Sequence, residues 1–452
     1  MTGRNAGYEP EAEADERPTT SPQRSIMVRV AGTYSTYLAV ALLSFVNVII
    51  TARALGPDGR GNVALMTAIA MLSGNVALFG IGEAHANLAG SNPELRARLV
   101  ANSFIFAAIF GLLTVLAVAL LIAAFPSLGG TTPAWVRWVA LAAVPLLTLQ
   151  AYLQLLLQAG YAFGVTNRAW LIGPVVNLSV NALLAVTGLL TVGTVVTTWV
   201  AGQALGTGLL VHHVVVRERA VGRPDAALAR IALSFGVRTH AGRIMMVGNY
   251  RLDQWILGVV GTSGQLGLYS VAVALAETLF YLPTSVSMAQ RPDLVRADRN
   301  EAARQATRGL RLSTVVTGSL AVLLFLTAPF FVPLLFGQEF EGSIVDLRIL
   351  VFGSFGIVAM KLLGVAITAQ RRPGLASAGA FVALAVTVGL DLVLIPSHGD
   401  VGASIASSVA YTAGGVALAL MAMRTLGCKP VDFVPRPGEA LALARQLRGK
   451  RA

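Results

Sequence analysis

The chain is poor in cysteine and in charge, and each shortage excludes a class of protein. A single cysteine, Cys428, stands among 452 residues, which excludes an intramolecular disulfide framework and a metal cluster built on cysteine. Only 12% of the residues are charged and 55% are hydrophobic, whereas soluble domains carry about 25% charged residues. With a mean hydropathy of +0.70, this balance predicts a protein that lies in a bilayer.

The chain also lacks the motifs of ATP-driven and metal-dependent chemistry. The stretch "GTSGQLG" (Gly261–Gly267) has no Lys followed by Ser or Thr, which a phosphate-binding loop requires. The five histidines show no spacing typical of metal ligands. The net charge of +12 is spread over many positions rather than gathered in one patch, which argues against nucleic-acid binding. We therefore expect no enzyme activity, no cofactor, no metal and no nucleic-acid partner.

Twelve apolar segments are long enough to cross a membrane, for which about 20 residues are needed. They cover residues 33–52, 62–82, 99–125, 135–157, 169–187, 193–215, 234–260, 265–287, 311–336, 347–370, 374–396 and 401–424. Two connections, "VGTSG" (Val260–Gly264) and "SHGD" (Ser397–Asp400), are short enough for antiparallel helical hairpins. The sequence thus predicts an all-α polytopic membrane protein with twelve transmembrane helices.

Arginine is distributed unevenly between the loops. The loops after even-numbered segments contain fifteen arginines, whereas those after odd-numbered segments contain four, Arg53, Arg60, Arg137 and Arg348. Positively charged loops stay in the cytoplasm. We therefore expect a multi-pass membrane protein with the N- and C-termini in the cytoplasm. The 31 arginines against three lysines suggest a bacterial source, and hence the cytoplasmic (inner) membrane.

A glycine pattern repeats between the two halves of the chain. "LGPDGRGNVAL" (Leu55–Leu65) and "VGTSGQLGLYSVAVAL" (Val260–Leu275) both place glycines at a turn and again just inside the next helix. The repeat predicts two related six-helix lobes, and paired repeats in transporters usually hold the substrate between them. The sequence predicts five parts: a disordered cytoplasmic tail over 1–24, an N-lobe over 25–216, a cytoplasmic linker over 217–230, a C-lobe over 231–426 and a basic cytoplasmic tail over 427–452. The first tail has no apolar run and is not a signal peptide.

The seventh segment contains charges in the middle of an apolar run, in "NYRLDQWILG" (Asn249–Gly258). Arg243, Arg251 and Asp253 would together cost roughly 8–10 kcal/mol if they faced lipid. The branched aliphatic residues that follow Arg243 would return only about 2–4 kcal/mol. The charged side of this helix must therefore face protein or a water-filled cavity.

Two interpretations of the embedded charges compete. In the structural one, Arg251 pairs with Glu277, and Asp253 pairs with Arg243 or Lys361, so that the charges connect helices. In the functional one, several of them line a polar cavity that binds an anionic headgroup, and carboxylates tune or couple it. We favour the second for the set as a whole, because ionisable groups within a membrane are by default functional candidates.

Amide side chains recur at helical spacing in the first half. Gln150 and Gln154 lie four residues apart, and so do Asn177 and Asn181, while Asn47 stands in the first segment. Amides in a cavity hydrogen-bond sugar hydroxyls, but they also bond helix to helix, at about 0.6–2 kcal/mol each. For both stripes the sequence leaves these alternatives open.

Three stretches together resemble one family. They are "ARALGPDGRG" (Ala52–Gly61), "NYRLDQWILGVVGTSGQLGLYSVAVALAE" (Asn249–Glu277) and "LIPSHGDVGASIASSVAY" (Leu394–Tyr411). They are similar to the polysaccharide-biosynthesis exporters of the multidrug/oligosaccharidyl-lipid/polysaccharide exporter superfamily, which are flippases for lipid-linked oligosaccharides. The resemblance covers nearly the whole chain, from about residue 25 to residue 427.

The resemblance implies two pseudo-symmetric six-helix lobes around a central cavity, working by alternating access. A polyprenyl-diphosphate-linked oligosaccharide would move from the inner to the outer leaflet for cell-surface polysaccharide assembly. The candidate headgroup residues are Arg53, Arg243, Arg251 and Lys361, which match by position the basic residues of such proteins, with Asn249, Tyr250, Gln150 and Gln154. The candidate coupling or charge-pairing residues are Asp253, Glu277 and Asp391.

The expected partners are the lipid-linked glycan, membrane lipids and a glycan polymerase or glycosyltransferases. Translocation would use the membrane potential or coupling to H⁺ or Na⁺. Three alternatives stay open: a cation-coupled multidrug exporter, a lipid II flippase of the same superfamily, and a non-transporting scaffold for glycan assembly. The first segment lacks the carboxylate that many multidrug exporters use, and lipid II flippases typically have fourteen spans rather than twelve.

Overall fold

The computed structural model describes residues 22–435, with the backbone alone for residues 22–31, 238 and 239. All regular structure in this range is helical. The helices are α1 (Pro22–Ala77), α2 (Ile81–Ser91), α3 (Arg96–Ala124), α4 (Ala134–Ala159), α5 (Phe163–Val186), α6 (Val192–His212), α7 (Ala226–Val260), α8 (Ser263–Glu277), α9 (Tyr281–Arg296), α10 (Arg299–Phe336), α11 (Ser343–Ala369) and α12 (Pro373–Leu426).

The described range makes twelve passes across a membrane-sized bundle, as the sequence predicts. Nine helical segments in it are long and apolar enough to span a bilayer. Two of the nine are hairpins, because α1 breaks at Gly56 (φ 65°) and α12 breaks at Gly399 (φ 57°), backbone values that favour glycine. Since each hairpin crosses twice, the nine segments make eleven passes. The twelfth pass is α7, which is 35 residues long and less apolar because it contains the embedded charges.

The second predicted segment, 62–82, differs from the structure at its end. The helix stops at Ala77, Phe79 and Gly80 have positive φ angles, and α2 continues in a new direction from Ile81. The reason lies in α7, which approaches closely at Gly236. A Cβ on Gly80 would stand 2.4 Å from the Gly236 carbonyl oxygen, so that only a broken, glycine-containing segment fits there.

Buried apolar side chains join the two halves of the bundle mainly at one end. We call the end where α2, α6 and α9 finish the arginine-rich end, and the opposite one the arginine-poor end. At the arginine-poor end, one cluster includes Leu65 of the first half and Leu257 of the second. Toward the arginine-rich end the clusters are separate, one around Leu156 and one around Leu363. The halves therefore part toward the arginine-rich end, where the first turns of α7 bridge them.

The two glycine-containing repeats cross each other at the arginine-poor end. A Cβ on Gly61 would lie 1.8 Å from the carbonyl oxygen of Ser263, and a Cβ on Gly267 would lie 1.9 Å from that of Pro57. The second repeat turns sharply because Thr262 and Gln265 cap α8 reciprocally. We call this reciprocal backbone contact the glycine crossing, and it holds the arginine-poor end closed.

The predicted tails and linker are only partly within the described residues. Residues 1–21 and 436–452, most of the two predicted tails, lie outside them, and residues 22–24 already belong to α1. The predicted linker is shorter than expected because α7 begins at Ala226. Asp225 starts that helix by accepting hydrogen bonds from the backbone N–H groups of Ala227 and Leu228. The bond from Leu228 in particular lowers the pKa of the Asp225 carboxyl.

Candidate functional site

A polar cavity lies between the two halves of the bundle. It has a volume of about 660 Å³ and is bounded by α1, α4, α5, α6 and α7. A smaller pocket of about 190 Å³ between α1 and α8 adjoins it, and both are lined by Arg60 and Arg251. We call the two together the central cavity. It lies where paired-repeat transporters hold their substrates.

One wall of the central cavity is basic. Its arginines are Arg60, in the second half of α1, and Arg243 and Arg251, on α7. Arg251 donates a hydrogen bond of 2.8 Å to Glu277, and Arg243 donates one of 2.8 Å to Glu83. The predicted pair of Arg251 and Glu277 is thus present. We call this surface the basic wall.

Arg60 differs from the other two arginines because it has no carboxylate partner in the part of the chain that the structure describes. Its Nε atom is buried and makes no hydrogen bond, and a second cation, Arg251, lines the same two pockets. A guanidinium in this position is costly unless an anion accompanies it. Arg60 is therefore the residue of the basic wall that is most available to an anionic ligand.

The sequence prediction missed Arg60 because it placed that residue in a loop. The helix resumes directly after Gly56, and cavity-lining residues then follow at helical intervals: Arg60, Val63, Thr67, Met71 and Gly74. This is one face of an α-helix. Extending the helical periodicity back from the second segment to the glycine turn would have identified Arg60 as part of that face.

The facing wall, on α4, α5 and α6, has no charged residue among those that line the cavity. It presents amides and two indoles: Gln150, Gln154, Trp170, Asn177, Trp199 and Gln203. We call it the neutral wall. The Nε2 atom of Gln154 is buried and has no hydrogen-bond partner in the described range, which distinguishes this stripe from a helix-to-helix contact.

The asparagine stripe has the opposite role. Asn181 donates hydrogen bonds of 2.9 Å to Asn47 and 2.8 Å to Asn177, so that it joins α5 to α1. The structure therefore separates the two alternatives that the sequence left open. Asn181 bonds helix to helix, and its partners Asn47 and Asn177 also line the cavity together with Gln150 and Gln154.

The chain is matched by one family profile. The profile of the family described as "polysaccharide biosynthesis protein" covers residues 50–345, more than half of the chain. The chain belongs to the polysaccharide biosynthesis protein family. No curated protein sequence matches it.

Solved structures share the fold of this polysaccharide biosynthesis protein. The lipid II flippase MurJ in an inward closed conformation has a TM-score of 0.73 at 14% identity, over 89% of this chain and 88% of that one. An inward-facing MATE multidrug transporter of the MOP superfamily has a TM-score of 0.70 at 14% identity, covering 86% and 94%. An outward-facing MATE structure gives 0.62 at 14% identity, covering 90% and 97%.

The family match confirms the resemblance to a polysaccharide-biosynthesis family, and the similar solved structures are a multidrug transporter and a lipid flippase. They also confirm the all-α polytopic fold class. At such low sequence identity the solved structures show only that the fold is shared. Only the cavity itself carries information about the substrate.

Four of the predicted headgroup residues of this polysaccharide biosynthesis protein do not line the central cavity. Arg53 donates hydrogen bonds to the carbonyl oxygens of Leu334 and Leu335 at the end of α10. Asn249 is buried against α12, where it donates to Ala380. The predicted cavity location of these two residues is therefore wrong.

Tyr250 and Lys361 also lie within the second half of the bundle. The ring of Tyr250 packs against Phe280 and Tyr411, and the Lys361 ammonium lies 5.9 Å from its centroid. Lys361 lines a separate cavity of about 360 Å³. The predicted location of both residues in the central cavity is wrong as well.

The embedded polar residues of α7 face two sides of that helix. Residues two apart on a helix point about 160° away from each other, so that Arg251 and Asp253 face different sides of α7. In the structure, Arg243 and Arg251 face the cavity, whereas Tyr250 and Asp253 point into the second half.

The predicted pairing of Asp253 with Arg243 or Lys361 is wrong. Asp253 is buried and accepts hydrogen bonds from the hydroxyls of Tyr269 and Ser407. Asp391 on α12 is fully buried, and within the described range neither of its carboxyl oxygens has a hydrogen-bond partner. Both carboxyls are therefore buried inside the second half, away from the central cavity.

Proposed function

We propose that the protein is a flippase that moves a polyprenyl-diphosphate-linked oligosaccharide from the inner to the outer leaflet by alternating access. The observation that carries this proposal is the division of the central cavity into a basic wall and a neutral wall. A diphosphate joined to a glycan needs both kinds of surface within one cavity. Guanidinium groups bind phosphate oxygens through charge-assisted, often bidentate hydrogen bonds, and within residues 22–435 the buried Nε atom of Arg60 has no hydrogen-bond partner.

The shape of the bundle agrees with loading from the cytoplasm. The positive-inside rule assigns the arginine-rich end to the cytoplasmic side, and the halves part toward that end while the glycine crossing closes the other. A headgroup would therefore enter from the inner leaflet. Its release to the outer leaflet would require the glycine crossing to separate.

The charge of the substrate supplies a driving force. Each charge that crosses a membrane gains about 2.3 kcal/mol per 100 mV, so that a diphosphate leaving a negative interior moves downhill without ATP. Exchange of a proton or a cation at the buried carboxyls would add to this. A buried carboxylate without a partner is costly, and we therefore assign to Asp391 a proton or a cation that it exchanges during the cycle.

The test of the proposed function is headgroup translocation in proteoliposomes. A fluorescent polyprenyl-diphosphate oligosaccharide is incorporated, and an added glycosidase reports which headgroups are accessible outside. Arg60→Gln is expected to lower the translocation rate at least about tenfold, because one charge-assisted hydrogen bond contributes about 1.5–3 kcal/mol. The matched control is Arg168→Gln, an exposed arginine of α5 outside the cavity, which should stay within about twofold of the wild type.

Other outcomes of this assay identify the alternatives. Wild-type protein that moves no glycolipid but shows drug-stimulated ion flux would be a multidrug exporter. Transport of lipid II in preference to other glycolipids would make it a lipid II flippase. Equal rates for Arg60→Gln and Arg168→Gln would contradict the assignment of the diphosphate to the basic wall.

Asp391→Asn tests the coupling. The amide is close in size to the carboxyl but exchanges no proton and carries no charge. We expect translocation by this variant to stop responding to an imposed proton or sodium gradient, while its response to a membrane potential stays within about twofold of the wild type. The measurement is the initial rate in proteoliposomes with each gradient set separately. Variant and wild-type proteins that respond alike to ion gradients would remove Asp391 from the coupling mechanism.

A further inference from the structure

The neutral wall has unused hydrogen-bonding capacity. Gln154 is 9% exposed and its Nε2 donor has no partner in the described range. Gln150, one helical turn earlier, is 8% exposed and points at the same cavity. Each glutamine amide offers two donors and one acceptor oxygen. Buried amides are normally hydrogen-bonded, so a wall of this kind is complete only when a polyhydroxylated ligand or water occupies it.

The neutral wall also presents two indoles to the same space. Trp170 and Trp199 are half-buried and line the cavity from the adjacent helices α5 and α6. The two helices are in direct contact at Gly173 and Gly202, since a Cβ on Gly202 would lie 2.9 Å from the Gly173 carbonyl oxygen. These two glycines therefore mark the same level on both helices. Trp170 lies three residues to one side of that level and Trp199 three residues to the other. The indoles are therefore about 9 Å apart along the helix axes.

From these observations we propose that the neutral wall is a saccharide subsite for uncharged sugars, which rests on the proposed function above. The two indoles offer flat apolar faces for the C–H faces of sugar rings, and their separation lets them face different rings of one oligosaccharide. Gln150 and Gln154 then bond hydroxyl or acetamido groups between them. Recognition of sugars by amides needs no charge from the protein.

The absence of charge on this wall among the described residues sets the specificity. A carboxylate on the glycan would lose its hydration when it binds this surface, which has no guanidinium or ammonium group to replace the water. Transfer of the charge to this surface is therefore unfavourable. The cations of the cavity belong to α1 and α7, on the opposite side. The headgroup is therefore oriented, with the diphosphate against the basic wall and neutral sugars against the neutral wall.

The test compares three synthetic lipids by calorimetric titration of the full-length protein in nanodiscs. They are farnesyl diphosphate, the same lipid carrying a disaccharide of N-acetylglucosamine, and the same lipid carrying a disaccharide that ends in glucuronic acid. For the wild type, the neutral disaccharide is expected to improve Kd about tenfold over farnesyl diphosphate. The acidic disaccharide is expected to give less than about a third of that gain.

The variants locate the gain on the neutral wall. Trp170→Ala should remove the contribution of the neutral disaccharide and leave the Kd for farnesyl diphosphate unchanged, whereas Trp170→Phe should restore part of the gain. Gln154→Leu, which is close to isosteric, should reduce the gain about threefold without affecting the bare lipid. The control Trp138→Ala removes an indole that is 58% exposed on α4 and should behave as the wild type.

Three results would overturn the proposal. They are equal affinity of the wild type for the neutral glycolipid and farnesyl diphosphate, equal weakening of both lipids by Trp170→Ala in a protein of unchanged Tm, and a larger gain from the acidic disaccharide than from the neutral one. If the wild type binds none of the three lipids, the proposed function itself fails, and this result is distinct from the other three.

Discussion

Gly267→Ala is expected to abolish transport while the protein stays in the membrane, because the new methyl group prevents closure of the arginine-poor end. The added Cβ would stand 1.9 Å from the carbonyl oxygen of Pro57. This neighbour is backbone, so it cannot move aside as a flexible side chain would. Overpacking of this kind costs up to about 3 kcal/mol, which changes the ratio of closed to open protein about 100-fold.

Accessibility measures this shift directly. Cys428 is the only cysteine and is buried, so a Cys428→Ser background allows a single reporter, Val63→Cys. Val63 is 3% exposed and lines the cavity next to the glycine crossing. In Gly267→Ala, a membrane-impermeant maleimide added outside should label this reporter many times faster than in the parent protein.

The matched control is Gly389→Ala, since a Cβ on this helical glycine of the same half has no atom within 4 Å. It should transport and label like the parent. Gly61→Ala should reproduce the defect from the other side of the crossing, where the Cβ would lie 1.8 Å from the Ser263 carbonyl oxygen. Normal transport by both glycine-crossing variants would show that this contact does not have to close during the cycle.

The fold was predictable because it depends on properties that the sequence displays along its length. Apolar runs of sufficient length and the alternation of arginine between loops are both local signals. The glycine repeat was also visible, and the structure adds that its two copies contact each other. The segment limits were less certain, since α1 continues through the turn at Gly56 and the predicted second segment breaks at Phe79 and Gly80.

The site was only partly predictable because a helix in the middle of a bundle has polar groups on more than one face. The charge of Arg251 and of Asp253 showed that α7 avoids lipid on those sides. It did not show that one residue faces the cavity and the other faces Tyr269 and Ser407. Trp170 and Trp199 had no signal of their own, since tryptophan at a membrane boundary is common.

Arg251→Ala is expected to lower the translocation rate about 100-fold or more without loss of the protein from the membrane. The variant removes one guanidinium from the basic wall and also leaves the Glu277 carboxylate without its partner, at 2.8 Å in the intact protein. Both side chains are mostly buried, 23% and 28% exposed. Breaking a buried pair by removing one partner costs about 3–5 kcal/mol, and the remaining carboxylate also repels a diphosphate.

This reasoning predicts that a second substitution repairs part of the loss. In Arg251→Ala/Glu277→Gln the repulsive charge is gone and Arg60 remains, so that the rate should recover about tenfold from that of the single variant. Arg168→Ala serves as the control for the loss of an arginine outside the cavity. The measurement is the headgroup translocation rate in proteoliposomes, normalised to the amount of protein in the membrane.

The double variant separates the role of Glu277 as a partner from its role as a charge in the cavity. If Arg251 acts only by holding α7 to α8, removal of Glu277 cannot restore transport, and both variants should show a similarly reduced Tm. Recovery of rate in the double variant, while its Tm stays at that of Arg251→Ala, means instead that the carboxylate acts on the ligand. Glu277 would then limit how tightly the basic wall holds the diphosphate, and a flippase needs such a limit because a headgroup that binds too tightly is not released.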